Sequence, residues 1–172
     1  RLSVAEGDSE PLTLLAPAPP AIRLGTIAVT PPPGAFLQAT TDAEAALQQA
    51  VAGIVGGASR VTDLFAGCGT LGLPLLKGLS KLAAVESDNA ALAAMKAAVD
   101  AAGLGARLDC IEADLMRAPL TADLFGEVEA VIIDPPRGGA SAQCEILATT
   151  AVPSIAMVSC NPASFSRDAA IL

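Results

Sequence analysis

The residues best suited to chemistry stand at the ends of short apolar runs. One run ends in Asp63 and turns through Gly67, Gly69 and Gly72, and the next run ends in Glu86. Glycine lets a backbone approach a ligand at a place where a Cβ would collide. An acid about 20 residues after such a turn can bond the two ribose hydroxyls of a nucleoside cofactor. The spacing therefore predicts a site for a cofactor that contains a nucleoside.

NAD and S-adenosylmethionine both contain such a ribose. The spacing Gly67-x-Gly69-x-x-Gly72 formally fits the dinucleotide fingerprint, although this match alone is weak evidence. A diphosphate is held by a helix N-terminus and close glycines. The negative charge of Asp63 would disfavour a diphosphate beside it, whereas it suits a cofactor that bears a sulfonium and an amino group. The run Asp134-Pro135-Pro136 further favours methyl transfer, with NAD binding as the weaker alternative.

Polar residues also follow three later apolar runs. They are Glu112 and Asp114 after the third run, Asp134 to Gly139 after the fourth, and Ser159 to Pro162, including Cys160, after the fifth. In parallel sheets, ligands bind beyond the carboxyl ends of the strands. We therefore expect all five groups to face one site, and their agreement is more specific than any single motif.

Strands and helices alternate along most of the chain. The predicted strands are at about 60–65, 81–86, 106–111, 130–134 and 154–158. The predicted helices are at about 42–55, 70–79, 88–102 and 141–150. Uniformly apolar strands that alternate with helices are typical of a doubly wound α/β fold with a mostly parallel sheet.

The domain organisation follows from length and proline content. A chain of 172 residues is long enough for one domain with a sizeable core. Residues 1–34 include Pro17, Pro19 and Pro20, and are predicted to be an extended lead-in with two or three edge strands that could end a preceding domain. Residues 35–172 are predicted to be the cofactor-binding domain.

Composition excludes several functional classes. The net charge of −8 and the absence of Tyr and Trp argue against a nucleic-acid-binding surface formed by this chain alone. No histidine is present and the four cysteines have no CxxC spacing, so neither a metal site nor a disulfide framework is indicated. No apolar run approaches the roughly 20 residues of a membrane span. A cytoplasmic location is therefore expected.

Four motifs together identify a family. They are residues 63–71 (Asp-Leu-Phe-Ala-Gly-Cys-Gly-Thr-Leu), Val85-Glu86, residues 134–138 (Asp-Pro-Pro-Arg-Gly) and residues 158–162 (Val-Ser-Cys-Asn-Pro). They resemble the S-adenosylmethionine-dependent RNA (uracil-5-)-methyltransferases, which modify tRNA or ribosomal RNA and have a Rossmann-like class I methyltransferase fold. Residues 32–38 resemble the segment that precedes the cofactor domain of that family. The match runs from about residue 30 to the C-terminus.

The resemblance implies a role for each matching residue. The cofactor would be S-adenosylmethionine, and the positions that stand where the family contacts it are Gln38, Phe65, Thr70, Glu86, Asp114 and Asp134. Asp63, Gly67 and Gly69 of the glycine turn complete the predicted cofactor site. Thr70 departs from the family, which commonly has Asn there. Cys160 stands at the position of the nucleophile, and Arg137 at a position beside the target base. The RNA, with ribosomal RNA favoured over tRNA, would be bound mainly through regions outside this chain.

A cysteine is needed because carbon 5 of uracil is too weakly nucleophilic to accept a methyl group directly. A thiolate that adds to carbon 6 converts the ring into an enolate, whose carbon 5 then attacks the sulfonium methyl. The family's general base is a Glu downstream of the Ser-Cys-Asn-Pro motif, and the chain ends before it. We therefore expect a sheet that is incomplete at the C-terminus, and a chain that binds cofactor without turnover.

Several alternatives remain open at this point. Amino-group methyltransferases have an aromatic residue after Asp-Pro-Pro, where Arg137 stands here, and cytosine-5 enzymes have a cysteine directly after the proline of the fourth strand. A cofactor-binding module without activity is a third possibility. Among single residues, Asp63 could cap the turn, Asp114 could be a solvated loop acid and Gln38 an ordinary helix-entry residue.

Overall fold

A computed structural model describes residues 2–5, 11–15, 18 and 20–172. The strands in this part of the chain are β1 (Leu2–Val4), β2 (Leu12–Leu15), β3 (Ile22–Leu24), β4 (Ile27–Val29), β5 (Arg60–Leu64), β6 (Lys81–Glu86), β7 (Leu108–Glu112), β8 (Ala130–Ile133) and β9 (Ser154–Met157). The helices are α1 (Thr41–Val55), α2 (Asn89–Ala101), α3 (Ser141–Leu147) and α4 (Pro162–Ala169).

Strands β5 to β9 form one parallel sheet in the order β7-β6-β5-β8-β9. Strand β5, the first of these five in sequence, lies in the middle of the sheet, and the later strands are added on its two sides. This order confirms the predicted doubly wound α/β fold. In such a sheet the strand order reverses beside the central strand, so a crevice forms there at the carboxyl ends.

Each face of the sheet is covered by its own apolar cluster. On the first face, Val61 and Ile132 pack with helix residues such as Val51 and Met95. On the second face, Leu64 and Ile133 pack with residues that include Cys144 of α3. Because side chains alternate along a strand, β8 contributes Ala130 and Ile132 to one cluster, and Val131 and Ile133 to the other. Burial on both faces explains why the strands are uniformly apolar.

Helix ends follow the capping residues of the sequence. Thr40 accepts a hydrogen bond from the Ala43 N–H at 3.2 Å at the start of α1. Asp88 Oδ1 accepts the Ala90 and Ala91 N–H groups at 2.9 and 3.2 Å at the start of α2. These side chains satisfy N–H groups that have no partner within the helix.

The region before the sheet contains two antiparallel strand pairs, β1–β2 and β3–β4. The second pair belongs to the core, because Leu24, Ile27 and Val29 are fully buried in the first apolar cluster. Pro17 and Pro19 of the predicted lead-in lie outside the described residues.

The helix predicted at 70–79 is wrong. This segment forms only a 3₁₀ turn at Leu73–Leu75 with turns on either side, held mainly by bonds between residues three apart. Pro74 has no N–H to donate, and Gly72 and Gly78 add backbone freedom that disfavours a helix. Burial of Leu73 and Leu76 in the core holds the irregular chain in place. Helix α4, which follows the loop after β9, was not predicted.

Candidate active site

A cavity of about 740 Å³ opens at the carboxyl ends of the parallel strands. The predicted site residues that line it are Gln38, Asp63, Phe65, Gly67, Thr70, Glu86, Asp114, Asp134, Arg137 and Cys160. Of the residues predicted to bind the cofactor or to act in catalysis, Gly69 does not line the cavity, and neither does Glu112, which was expected at the same site. Five loops that are distant in sequence therefore meet at one place, as the order of the strands requires.

Asp63, in β5, is a buried carboxyl group at the floor of this cavity. Its side chain is 2% exposed, and its Oδ2 has no hydrogen-bond partner among the described residues. Burial, followed by the nearby Asp134 carboxylate, raises the pKa of Asp63 from 3.8 to about 7. The backbone N–H of Gly72 lowers the pKa of Asp63 and so offsets part of this rise. It does not form a hydrogen bond of good geometry to Oδ2. A buried carboxyl group of this kind is suited to a cationic ligand.

Asp134 gives the cavity a second carboxyl group of similar character. It follows β8 directly, is half-buried, and burial raises its pKa. Its backbone N–H donates to the Leu64 carbonyl at 3.3 Å, which holds the loop after β8 against the end of β5. Two carboxyl groups with raised pKa in one cavity indicate a binding partner with positive charge.

The turn after β5 has an unusual backbone. Phe65 has a φ of 61°, a left-handed conformation that is rare for a bulky residue and is typical of functional sites. Gly67 has a φ of 53°, and a Cβ added there would meet nothing within 4 Å. The backbone of Gly67 therefore borders open space that a ligand can occupy.

Gly69 has a different role from Gly67. A Cβ added at Gly69 would lie 2.5 Å from Leu73 Cγ and 2.8 Å from Leu73 Cδ1. Glycine is needed at this position so that the turn can pack against the core, and Gly69 does not itself line the cavity. Thr70 is fastened to α1 through its carbonyl, which accepts a bond from Gln48 Nε2 at 3.0 Å.

Glu86 ends β6 and is held by four hydrogen bonds. Its Oε1 accepts from the Ser87 N–H at 2.7 Å, the Ser87 hydroxyl at 3.0 Å and the Asp88 N–H at 2.9 Å. Within the part of the chain that the structure describes, its Oε2 accepts only the Gly67 N–H, at 2.9 Å, and so has acceptor capacity left for a hydroxyl of a ligand. The carboxylate is fixed in direction before any ligand arrives.

Asp114 and Gln38 lie at the margin of the cavity. Asp114 is exposed and caps its own loop, since Oδ1 accepts the Met116 N–H at 3.0 Å and the Arg117 N–H at 3.3 Å. It also forms an ion pair with Arg117 at 3.5 Å. Gln38 is half-buried in the segment that precedes α1. Their roles in cofactor binding stay predictions.

The loop after β9 presents Cys160 to the same cavity. Its thiol is exposed, in contrast to Cys68 and Cys144, whose pKa values are raised to about 11 by burial. Asn161 Nδ2 donates to the Arg137 carbonyl at 3.0 Å and so joins this loop to the one after β8. The loop of the candidate nucleophile and the loop of the candidate base-contacting arginine are therefore joined, and both residues line the cavity.

Two apolar residues of the cavity were not singled out from the sequence. Phe36 is 78% exposed and Met116 is 55% exposed, and both line the cavity. Phe36 belongs to the motif at 32–38, which offered a signal, whereas nothing in the sequence around Met116 marks it. Exposed apolar side chains at a cavity rim are suited to contact a flat ring.

A matching family model and several relatives place these observations in context. The model described as conserved hypothetical protein 95 matches residues 41–162. An uncharacterized RNA methyltransferase of Rhizobium meliloti is 45% identical over 157 residues, which is 91% of this chain and 37% of that protein. The 23S rRNA (uracil(1939)-C(5))-methyltransferase RlmD of Chromohalobacter salexigens is 38% identical over 143 residues, with 81% of this chain and 29% of that protein covered. The chain thus spans well under half the length of these relatives.

Among solved structures, the Pyrococcus abyssi tRNA (uracil-54, C5)-methyltransferase in complex with S-adenosyl-L-homocysteine is similar to this chain. The TM-score is 0.73 at 25% identity, with 88% of this chain and 36% of that one covered. The cofactor is S-adenosylmethionine, and the residues of the cavity fit it. The unpartnered Asp63 oxygen and the Asp134 carboxyl group suit its positive charges, and Glu86 keeps an acceptor for a ribose hydroxyl. The chain therefore belongs to the family described as conserved hypothetical protein 95, and the relatives to which it is similar are named RNA methyltransferases.

Proposed function

We propose that this chain supplies the cofactor site and the nucleophile of an enzyme that methylates carbon 5 of a uridine in RNA. The observation that supports it best is that Cys160 lines the same cavity as Asp63 and Glu86. Ribosomal RNA is the favoured substrate, since one relative is named for uracil 1939 of 23S rRNA, and tRNA is the alternative that the Pyrococcus abyssi enzyme represents.

The cofactor would be bound by the loops after β5, β6 and β8. Glu86 would accept bonds from the ribose hydroxyls, the Gly67 backbone would border the ligand, and Asp63 and Asp134 would face its positive groups. S-adenosylmethionine supplies an electrophilic methyl group when bound. Residues 35–172 would form this binding domain, with residues 1–34 as the segment that leads into it.

Cys160 would carry out the covalent part of the reaction. Its thiolate adds to carbon 6 of the uracil, which forms an S–C6 bond and moves the C5=C6 electron pair onto carbon 5 and the carbonyl as an enolate. Carbon 5 would then accept the methyl group that S-adenosylmethionine supplies when bound. When a base removes the carbon 5 proton, the S–C6 bond breaks and the C5=C6 double bond re-forms. Arg137, which lines the cavity next to this loop, would contact the target nucleotide.

The RNA would be held mainly by surfaces outside this chain, and the enzyme would work in the cytoplasm. The ten Lys and Arg residues are outnumbered by eighteen Asp and Glu residues. Such a balance gives little counterion release on a polyanion, so cofactor binding and catalysis, rather than RNA capture, are the roles proposed for this part.

The test is covalent trapping in the full-length gene product. With RNA that contains 5-fluorouridine and S-adenosylmethionine present, carbon 5 cannot lose fluorine, so the protein should remain attached to the RNA and migrate as an adduct in a denaturing gel. Cys160→Ala should give no adduct. Cys110→Ala, which changes a half-buried cysteine outside the cavity, should still give it.

Two results would contradict the proposal. An adduct that persists in Cys160→Ala would assign the nucleophile elsewhere. A protein that binds S-adenosylmethionine but forms no adduct would favour an amino-group methyltransferase or a cofactor-binding module without activity.

A further inference from the structure

Helix α4 begins directly after the Cys160 loop, and its side chains hold the loop that follows Asp134. Asp168 of α4 is a fully buried acid, with 0% of its side chain exposed. Its Oδ2 accepts the N–H of Ala140 at 2.6 Å. Its Oδ1 accepts the Nε–H of Arg167 at 2.7 Å, so the buried charge has a neutralising partner.

The bond to Ala140 completes a helix that lacks its own cap. Ala140 is the N-cap residue of α3, and it has no side-chain oxygen to offer there. Its N–H is buried and would be left without a partner if Asp168 were absent, which is costly in a protein interior. Asp168 thus supplies, from another helix, an acceptor at the N-terminal end of α3.

Two further side chains from α4 and its N-cap hold carbonyls of the same loop. Arg167 Nη2 donates to the Gly138 carbonyl at 2.9 Å. Asn161 Nδ2, at the N-cap of α4, donates to the Arg137 carbonyl at 3.0 Å. Each of these bonds goes to the backbone of the loop, so they set its position and leave the Arg137 side chain free to point elsewhere.

The loop is also fitted sterically to this helix. Gly139 has a φ of 78°, and a Cβ added there would collide with the side chains of Asp168 and Arg167. Only glycine has both the backbone conformation and the space that this contact needs. The residues on the two sides of the contact are therefore complementary in shape as well as in hydrogen bonding.

We propose that Arg167 and Asp168 are positioning residues that hold the Arg137 loop against the Cys160 loop, so that a target base can meet both at once. This inference rests on the proposed function. Cys160 and Arg137 come from loops after two neighbouring strands, β9 and β8. The pairing of Ile133 with Met157 brings the starts of these loops together, but it does not fix their course beyond the sheet. Helix α4 and its N-cap fix that course, because the helix starts from the Cys160 loop and the two together bond to Arg137, Gly138 and Ala140 of the other loop. A small misplacement of reacting groups lowers a rate strongly.

The test uses two conservative variants of the full-length gene product, because removal of a buried acid could unfold it. Asp168→Asn keeps an oxygen for the Ala140 N–H but loses the charge that pairs with Arg167. Arg167→Lys keeps the charge but loses the fork that bonds Asp168 and Gly138 together. Lys96→Gln, which removes an exposed ion pair with Asp100 on α2, is the control.

Three quantities are measured for each variant. The rate of adduct formation with saturating 5-fluorouridine RNA and cofactor should fall roughly 10- to 100-fold in Asp168→Asn and Arg167→Lys. The dissociation constant for S-adenosylmethionine should stay within about threefold, because most of the proposed cofactor contacts lie on the loops after β5 and β6. Asp134, at the start of the loop after β8, is held separately by the bond from its N–H to the Leu64 carbonyl at 3.3 Å. Amide hydrogen exchange at Ala140 should be roughly tenfold faster, while exchange in β5 is unchanged. Lys96→Gln should match the parent in all three.

The outcomes separate this inference from the function on which it rests. An unchanged adduct rate in both variants would overturn it, and so would a rate loss that merely follows a loss of cofactor affinity or of folded protein. If the parent forms no adduct, the proposed function fails, and the exchange rate at Ala140 alone decides whether α4 holds the loop. Unchanged exchange there would overturn the inference as well.

Discussion

The Gly67 N–H donates to Glu86 Oε2 at 2.9 Å, which ties the turn after β5 to the end of β6. The two residues are nineteen positions apart in sequence, and the bond crosses from one parallel strand to its neighbour. It brings the glycine backbone and the acid that was predicted to bind ribose to the same side of the cavity. The cofactor site is therefore partly assembled before a ligand arrives.

Replacement of Glu86 should weaken cofactor binding. Glu86→Gln leaves an NH₂ group where one carboxylate oxygen now accepts hydrogen bonds, so affinity for S-adenosylmethionine should fall roughly 10- to 100-fold. Glu112→Gln is a matched control, because Glu112 lies opposite Glu86 in the register of β6 and β7 but does not line the cavity. Isothermal titration calorimetry measures both. Equal affinity in parent and Glu86→Gln would contradict the assignment.

Asp63 should make the stability of the ligand-free protein depend on pH. Its pKa is raised from 3.8 to about 7, so between these pH values the folded state binds more protons than the unfolded state. The free energy of unfolding should therefore decrease as pH rises from about 4 to about 7, and level off above that, by up to roughly 4 kcal/mol.

Asp63→Asn, which cannot titrate, should remove most of this decrease, and a smaller part should remain because burial also raises the pKa of Asp134. Urea unfolding at a series of pH values measures it, and Asp123→Asn, an exposed acid, serves as the control. A pH profile of Asp63→Asn that is parallel to that of the parent would show that Asp63 titrates normally.

Gly67 and Gly69 should respond differently to alanine. At Gly67 the added methyl meets open space, so the loss of stability should be only the backbone term of about 1–2 kcal/mol, while cofactor affinity falls. At Gly69 the methyl collides with Leu73, so about 1–3 kcal/mol of overpacking is added to the same backbone term. Thermal melts with and without S-adenosylmethionine distinguish the two variants. A Gly67→Ala protein with full cofactor affinity would place the ligand elsewhere.

Gly138 and Gly139 form a second matched pair. Gly139→Ala forces a methyl group into Asp168 and Arg167 from a left-handed backbone, and should lower stability by about 2–4 kcal/mol. Gly138→Ala meets nothing within 4 Å and should change stability by less than about 1 kcal/mol. Guanidinium unfolding gives both values. Similar values for the two variants would show that the loop does not pack on α4 as described.

Most strands could be predicted from the sequence because apolar runs that end in polar residues are a local signal. Strand β8, for example, was expected at about 130–134 and is observed at Ala130–Ile133. The helix expected at 70–79 failed because its apolar spacing reflects burial of Leu73 and Leu76 in the core, which an irregular chain with Pro74 achieves without helical hydrogen bonds. The same pattern of buried residues is compatible with a helix and with an irregular chain, and only the packing in the folded protein decides which of the two forms.

Most residues of the candidate site could be predicted from the sequence, but the contacts that each of them makes could not. The positions of Asp63, Glu86 and Cys160 at strand ends were enough to expect one cavity, since parallel strands bring their carboxyl ends together. Met116 gave no signal, because its place at the cavity depends on how an irregular loop folds back. The different roles of Gly67 and Gly69 also depend on the atoms that surround each one.

The amino-acid sequence by itself determined the kind of sheet, the rim where the polar residues meet and the family to which they belong, because these follow from residue types and spacing along the chain. The tertiary structure decided the properties that arise between residues distant in sequence. Burial and a second carboxyl group raise the pKa of Asp63, and α4 bonds the Arg137 loop to the Cys160 loop. Such properties depend on distance and exclusion of water, which exist only once the chain has folded.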